Sequence, residues 1–138
     1  WVRRLWEQYG GGNVWFRGWV DNLADFYNDI SLYVQPSVSE GFGIEVLEAM
    51  SYGRPVLCSR GAGAADAVPS SSRLFPAGNV EALASSIDTD YQALKHYWSD
   101  DQKKVVQKAF YDEASKYTWD IIRQRYIDLW QSLLKEQI

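Results

Sequence analysis

The chain has 138 residues, room for one domain and little more. Hydrophobic residues make up 46% and charged residues 23%, the balance of a packed globular core rather than of a disordered tail. The net charge of −4 offers no basic field to draw in nucleic acid or an anionic membrane, so any anionic ligand must be held by local chemistry.

Trp1, Val2, Leu5, Trp6 and Tyr9 recur at helical spacing, and Gly10-Gly11-Gly12-Asn13 stops that helix. The pattern is already under way at Trp1, which predicts a fragment: residues 1–138 as one partial domain whose first strands lie upstream. Val14-Trp15-Phe16-Arg17-Gly18 is β-rich and predicts a buried strand. Asp21 or Asn22 can cap a brief helix from Leu23 to Asn28. Ile30 to Val34 predicts a second strand, Ile44 to Tyr52 a helix closed by Gly53, and Pro55 to Ser59 a third strand. A glycine loop at Gly61-Ala62-Gly63 follows, then a turn of helix over Ala64 to Ala67 and a short strand over Ser72 to Phe75. Asn79 is placed to cap a helix carrying Val80, Leu83, Ala84 and Ile87.

The rest reads as helix. Val105, Val106, Ala109, Phe110 and Tyr117 make one apolar stripe, and Thr118 is expected to cap a last helix with Ile122, Tyr126, Leu129, Trp130 and Leu133 on one face. Charged residues from Ser99 to Lys108 read as a solvated face. Trp15, Trp19, Trp119 and Trp130 are expected to bury area in the core or against the missing half. His96, the single histidine, sits among Lys95, Tyr97 and Trp98 in a helical pattern and reads as structural. Cys58 is the lone cysteine, so no intrachain disulfide can form and a reducing, cytoplasmic compartment is expected. No apolar run is long enough to span a bilayer and no signal-peptide pattern opens the chain. Strands alternating with helices predict an α/β, Rossmann-like domain with a small, mostly parallel sheet.

In such sheets ligands bind at the carboxyl ends of strands. Pro36-Ser37-Val38-Ser39-Glu40-Gly41-Phe42-Gly43-Ile44-Glu45-Val46-Leu47-Glu48-Ala49-Met50 lies at such a place. Gly41 and Gly43 let the backbone approach a ligand as the helix begins. The first helical N–H groups are then unpaired and the helix dipole favours negative charge there, making an anion site without a basic side chain. Glu40 and Glu48 bracket it. Ile44 and Glu48, four apart, share a helix face, so Glu48 can accept hydrogen bonds from neighbouring ribose hydroxyls while Ile44 packs on the nucleoside.

The eight-residue spacing carries little alone. Joined to the preceding strand, Pro36-Ser37, the two glycines and Glu48-Ala49-Met50-x-x-Gly53-x-Pro55-Val56, it resembles the signature of family 4 of the glycosyltransferases, also described as group 1. Their two facing Rossmann-like domains form the GT-B fold, and the carboxyl-terminal one carries a Glu-x7-Glu motif matched by Glu40 and Glu48. Val14-x-Phe16-x-Gly18-x-Val20, the Gly61 to Val68 loop, Phe75 to Leu83 and Thr118-Trp119 are similar to further segments of that domain. Asp66 stands where the family more often has Glu, and Ala62 replaces a glycine.

The resemblance implies that Glu48 binds the donor's ribose and that Gly41, Phe42, Gly43 and Ile44 lie along its diphosphate and sugar. Val20 would lie against the base, and Glu40 would be the catalytic-site carboxylate at the transferred sugar. The implied function is retaining transfer from a UDP-, GDP- or ADP-sugar to a hydroxyl of an acceptor glycan, lipid or small molecule. The family's phosphate-binding Arg and Lys, and its acceptor site, are expected in a missing amino-terminal half, and the fragment alone is expected to be inactive. That half leaves peripheral membrane contact open. No cofactor and no metal are expected, for want of an acidic Asp-x-Asp pair or a His cluster to coordinate one. Two other readings stay open: a non-catalytic nucleotide-sugar-binding scaffold, and a GT-B-type nucleotide-sugar epimerase. A flavodoxin-like module is disfavoured, because its phosphate loop follows the first strand.

Overall fold

Four consecutive residues without polar alternation, Val56–Ser59, are buried on both faces and form the central strand of the sheet, as parallel strands covered by helices require. The computed structural model describes residues 4, 7, 13–93, 95 and 99–135. Apart from Arg4 and Glu7, the predicted first helix lies outside them, as does His96.

In chain order the elements are α1 (Leu23–Asp29), β1 (Tyr33–Gln35), α2 (Ile44–Ser51), β2 (Val56–Ser59), β3 (Leu74–Phe75), α3 (Val80–Gln92), α4 (Asp100–Ala114) and α5 (Trp119–Lys135). Short 3-10 turns at Gly63–Ala67, Ser71–Arg73 and Ser115–Tyr117 join them. The strands run in the order β1-β2-β3, all parallel, with Val34 opposite Leu57 and Cys58 opposite Leu74. The expected α/β, Rossmann-like architecture is present.

Local chemistry explains the helix starts. Asn22 accepts hydrogen bonds from the Ala24 and Asp25 amides at 3.1 and 3.3 Å, and Asn79 accepts from Ala82 at 2.8 Å. Ser99 and Gln102 form a reciprocal capping box at the start of α4. At the other end of α2, Gly53 takes a φ of +67° and donates to the Met50 carbonyl, closing the helix as its sequence position implies.

The core lies where α2 meets β2 and α4. Val46, Ala49 and Met50 pack on Val56 and Cys58, with Phe110 and Ala114 of α4 closing the other side. Burial pushes the Cys58 thiol up from its ordinary pKa. The apolar stripe of α4 differs from expectation: Phe110 and Ala114 are buried and Val106 half-buried, whereas Val105 is 70% exposed. Arg73 and Asp90 form an almost buried ion pair, with the guanidinium over the Phe110 ring.

One expectation fails and another is narrowed. Val14 to Gly18 adopts no regular structure, and Val14, Trp15 and Phe16 are exposed: the run has β propensity but pairs with no strand among the described residues. Of the two placements expected for the tryptophans, the core is excluded, since Trp15, Trp19, Trp119 and Trp130 are 74, 90, 82 and 61% exposed. Along α5 no residue is fully buried. The charged face of α4 is solvated as expected, with exposed pairs between Lys103 and Asp100 and between Lys104 and Asp101. No helix among the described residues is long and apolar enough to cross a membrane.

Candidate functional site

The carboxyl ends of β1 and β2 send out two loops that close on each other. Glu40 donates its amide to the Gly61 carbonyl at 3.0 Å and pairs with Ala62 as a parallel bridge, while Ala64 donates to the Phe42 carbonyl at 2.7 Å. The seam is backbone against backbone. A Cβ on Gly61 would fall 2.2 Å from the Val38 carbonyl oxygen, and one on Gly63 would fall 2.4 Å from that of Gly41. The glycines of the second loop thus allow the first loop to be held in place.

Held this way, the first loop delivers the start of α2. Gly43 takes a φ of +87°, in the left-handed region that favours glycine, and no side chain caps the helix. The Val46 amide turns back to the Gly43 carbonyl at 3.0 Å. The positive end of the α2 dipole therefore opens at the carboxyl edge of the sheet.

Glu48 stands one turn inside α2. It lines a cavity of about 490 Å³ together with Phe42, Ile44, Leu47, Tyr117, Trp119 and Ile122. Three of the expected site residues, Phe42, Ile44 and Glu48, therefore share one hollow between α2 and α5. Phe42 and Ile44 are 43 and 54% exposed, so their side chains face it rather than the core.

Glu40 and Gly41 do not line that hollow. Glu40 is exposed beside the loop seam, and its carboxylate accepts the Gly41 amide at 3.0 Å. Gly43 is buried between Glu40, Gln35 and Ala62. Val20 lines a separate cavity of about 530 Å³ with Arg17, Phe26 and Asp29. Glu40 and Glu48 therefore share neither of these two cavities.

Several residues at this site carry no signal in the sequence. The Tyr27 hydroxyl donates to Glu48 Oε2 at 3.0 Å. Tyr33 donates to Gln35 Oε1 at 2.7 Å, and Gln35 Nε2 donates to Ser37 Oγ at 2.9 Å, making a relay beneath the glycine loop. Burial, reinforced by Glu45 and Glu48, pushes the Tyr33 phenol up to about 12, so it remains a donor at neutral pH. Of the arginines, Arg54 binds the Tyr52 and Ile30 carbonyls and Asn28, and Arg73 binds Asp90, so both brace the fold. Arg60 is exposed just beyond β2, and Asp66 is exposed in the following turn.

Contrary to expectation, the chain does contain an Asp-x-Asp pair. Asp88 and Asp90 have Asp-x-Asp spacing, but both lie within α3 and Asp90 is committed to Arg73. No group of three metal-ligating side chains occurs among the described residues.

Comparison with known proteins gives the chain its family. The chain is similar to a sulfoquinovosyl transferase from Arabidopsis thaliana, with 35% identity over 104 residues covering 72% of this chain and 19% of that protein. It is also similar to the O-antigen chain mannosyltransferase B of Escherichia coli, with 27% identity across 94% of this chain and 34% of that protein. Among solved structures, sucrose-phosphate synthase from Thermosynechococcus elongatus superposes with a TM-score of 0.77 at 26% identity, covering 98% of this chain and 34% of that one. The chain thus spans between about a fifth and a third of the length of these relatives. A family model described as glycosyl transferases group 1 matches residues 1–92, and with the GT-B-type fold this establishes that the chain belongs to that family.

Proposed function

We propose that this chain is the donor-binding half of a retaining glycosyltransferase, taking a UDP-, GDP- or ADP-sugar and helping to transfer its sugar to an acceptor hydroxyl. The observation that carries the reading is the uncapped start of α2 at Gly43, opening at the carboxyl edge of the sheet with Glu48 one turn away on a cavity. A diphosphate gains negative charge as the glycosidic bond breaks. A fixed helix N-terminus stabilises that charge more in the transition state than in the ground state, and it does so without reorganising.

Each residue then has a distinct task. The amides at Phe42, Gly43 and Ile44 take diphosphate oxygens, and Glu48 takes ribose hydroxyls. Glu40 turns from its own Gly41 amide toward the hydroxyls of the sugar being moved, which frees that amide for a phosphate oxygen. Because Glu40 is exposed, this turn meets little steric resistance. Val20 lies against the base, and the acceptor, whether glycan, lipid or small molecule, is held by another part of a longer protein. The 138-residue chain by itself binds donor and does not turn it over.

Ligand-observed NMR with UDP, GDP and ADP tests the reading directly. At least one should bind in the millimolar range or tighter, and Glu48→Ala should weaken that binding by about tenfold or more. Failure of all three to bind, or unchanged binding by Glu48→Ala, overturns it.

A further inference from the structure

We infer that Tyr27 is a positioning residue for the donor: its phenol holds one oxygen of the Glu48 carboxylate so that the other is presented to ribose hydroxyls. This rests on the proposed ribose-binding role of Glu48.

The geometry is specific. Tyr27 lies on α1, 21 positions before Glu48, and its hydroxyl donates to Oε2 at 3.0 Å. The phenol is itself fixed. Tyr27 is 3% exposed, its ring stacks on Tyr52 at 5.3 Å, and the edges of Phe26 and Tyr33 close on it at 5.2 and 6.2 Å. Glu48, by contrast, is half-buried on the rim of the cavity and has three rotatable bonds of its own. Untethered, it would lose rotamer freedom when it met a ligand; tethered to a rigid ring, it has already lost it. Burial and the Glu48 carboxylate push the Tyr27 phenol well above its ordinary range. The hydroxyl therefore stays a donor at neutral pH, and the second carboxylate oxygen is left to accept from a ligand.

A purely structural role predicts something different: the hydrogen bond would only satisfy a buried hydroxyl, and its removal would change stability alone. The experiment compares the wild-type chain, Tyr27→Phe, Glu48→Ala and the double variant, using dissociation constants for whichever nucleoside diphosphate the wild type binds. Tyr27→Phe keeps the ring and is expected to weaken that binding roughly tenfold, the size of a charge-assisted hydrogen bond. In the Glu48→Ala background it should add nothing, and affinity for inorganic pyrophosphate should not change.

Wild-type affinity in Tyr27→Phe, an equal loss toward pyrophosphate, or a loss that persists in the double variant would overturn the inference while leaving the donor-binding reading intact. A wild type that binds no nucleotide would remove both. If Tyr27→Phe does not fold, the Tyr27 Cζ chemical shift in wild type decides: it should keep its hydrogen-bonded value at nucleotide saturation, and a move to the free-phenol value overturns the inference.

Discussion

Replacing Gly61 by alanine tests whether the two loops of the site are held backbone against backbone. The new Cβ would stand 2.2 Å from the Val38 carbonyl oxygen, 2.8 Å from its carbon and 2.9 Å from the Ser37 oxygen. All three obstacles are main-chain atoms, so no side chain can swing aside. Restoring 3.0 Å requires the loops to part by about 0.8 Å. The bond from the Glu40 amide to the Gly61 carbonyl, now 3.0 Å, lies in the same seam and would stretch past a useful length. Overpacking of this kind costs about 1–3 kcal/mol, and the lost hydrogen bond costs about 1 kcal/mol more. A total of about 2–4 kcal/mol should lower Tm by roughly 10 °C in a domain of this size. Gly41→Ala is the control within the same loops, because a Cβ there meets nothing within 4 Å; its stability should stay within about 1 kcal/mol of wild type. Urea unfolding followed by circular dichroism measures both. A Gly61→Ala chain as stable as Gly41→Ala would refute the argument that the glycines exist for this contact.

Other perturbations address the frame behind the site. Arg73→Met leaves the Asp90 carboxylate nearly buried and unpaired, which should destabilise the chain by about 3–5 kcal/mol. Burial already raises the Asp90 pKa above 3.8, against the lowering influence of Arg73. Without the arginine it rises further, so the variant loses stability as pH climbs from about 4; its deficit in urea unfolding should be larger at pH 7 than at pH 4, and Asp90→Asn in the same background should recover part of it. Asn79→Ala removes the 2.8 Å cap of α3 and should cost about 1 kcal/mol in the same assay. Equal deficits at the two pH values, or no cost at Asn79, would count against these assignments.

What was legible in the sequence was what neighbouring residues decide among themselves. Asn22 and Asn79 announce helix starts because an amide side chain reaches backbone two or three positions on. Gly53 announces the end of α2 because a left-handed turn there favours glycine. Val56 to Ser59 reads as a strand because a run without polar alternation can be buried on both sides. The run from Val14 to Gly18 also has β propensity but joins no sheet among the described residues, and that outcome is decided outside the segment. The exposed tryptophans stay out of this core for a related reason: their size predicts burial on average, but burial depends on what packs against them.

The site divides along the same line. Gly41-Phe42-Gly43 and the start of α2 follow from local conformation, and the carboxylate at Glu48 follows from helical spacing with Ile44. What aims that carboxylate does not. Tyr27 reaches it from another helix, and Gly61 sets the first loop in place from beyond β2, contacts made only once α1, α2 and β2 have packed. On the proposed reading, a motif of two glutamates eight positions apart marks where the ligand binds, while the precision of the binding resides in residues that the motif leaves out. Variants at Gly61 and Tyr27 should consequently impair nucleotide binding by different routes: the first by moving the helix start, and so weakening pyrophosphate as well as nucleotide, the second by loosening Glu48 alone. If both variants lost nucleotide and pyrophosphate in the same proportion, the separation of a phosphate-holding end from a ribose-holding side chain would not stand.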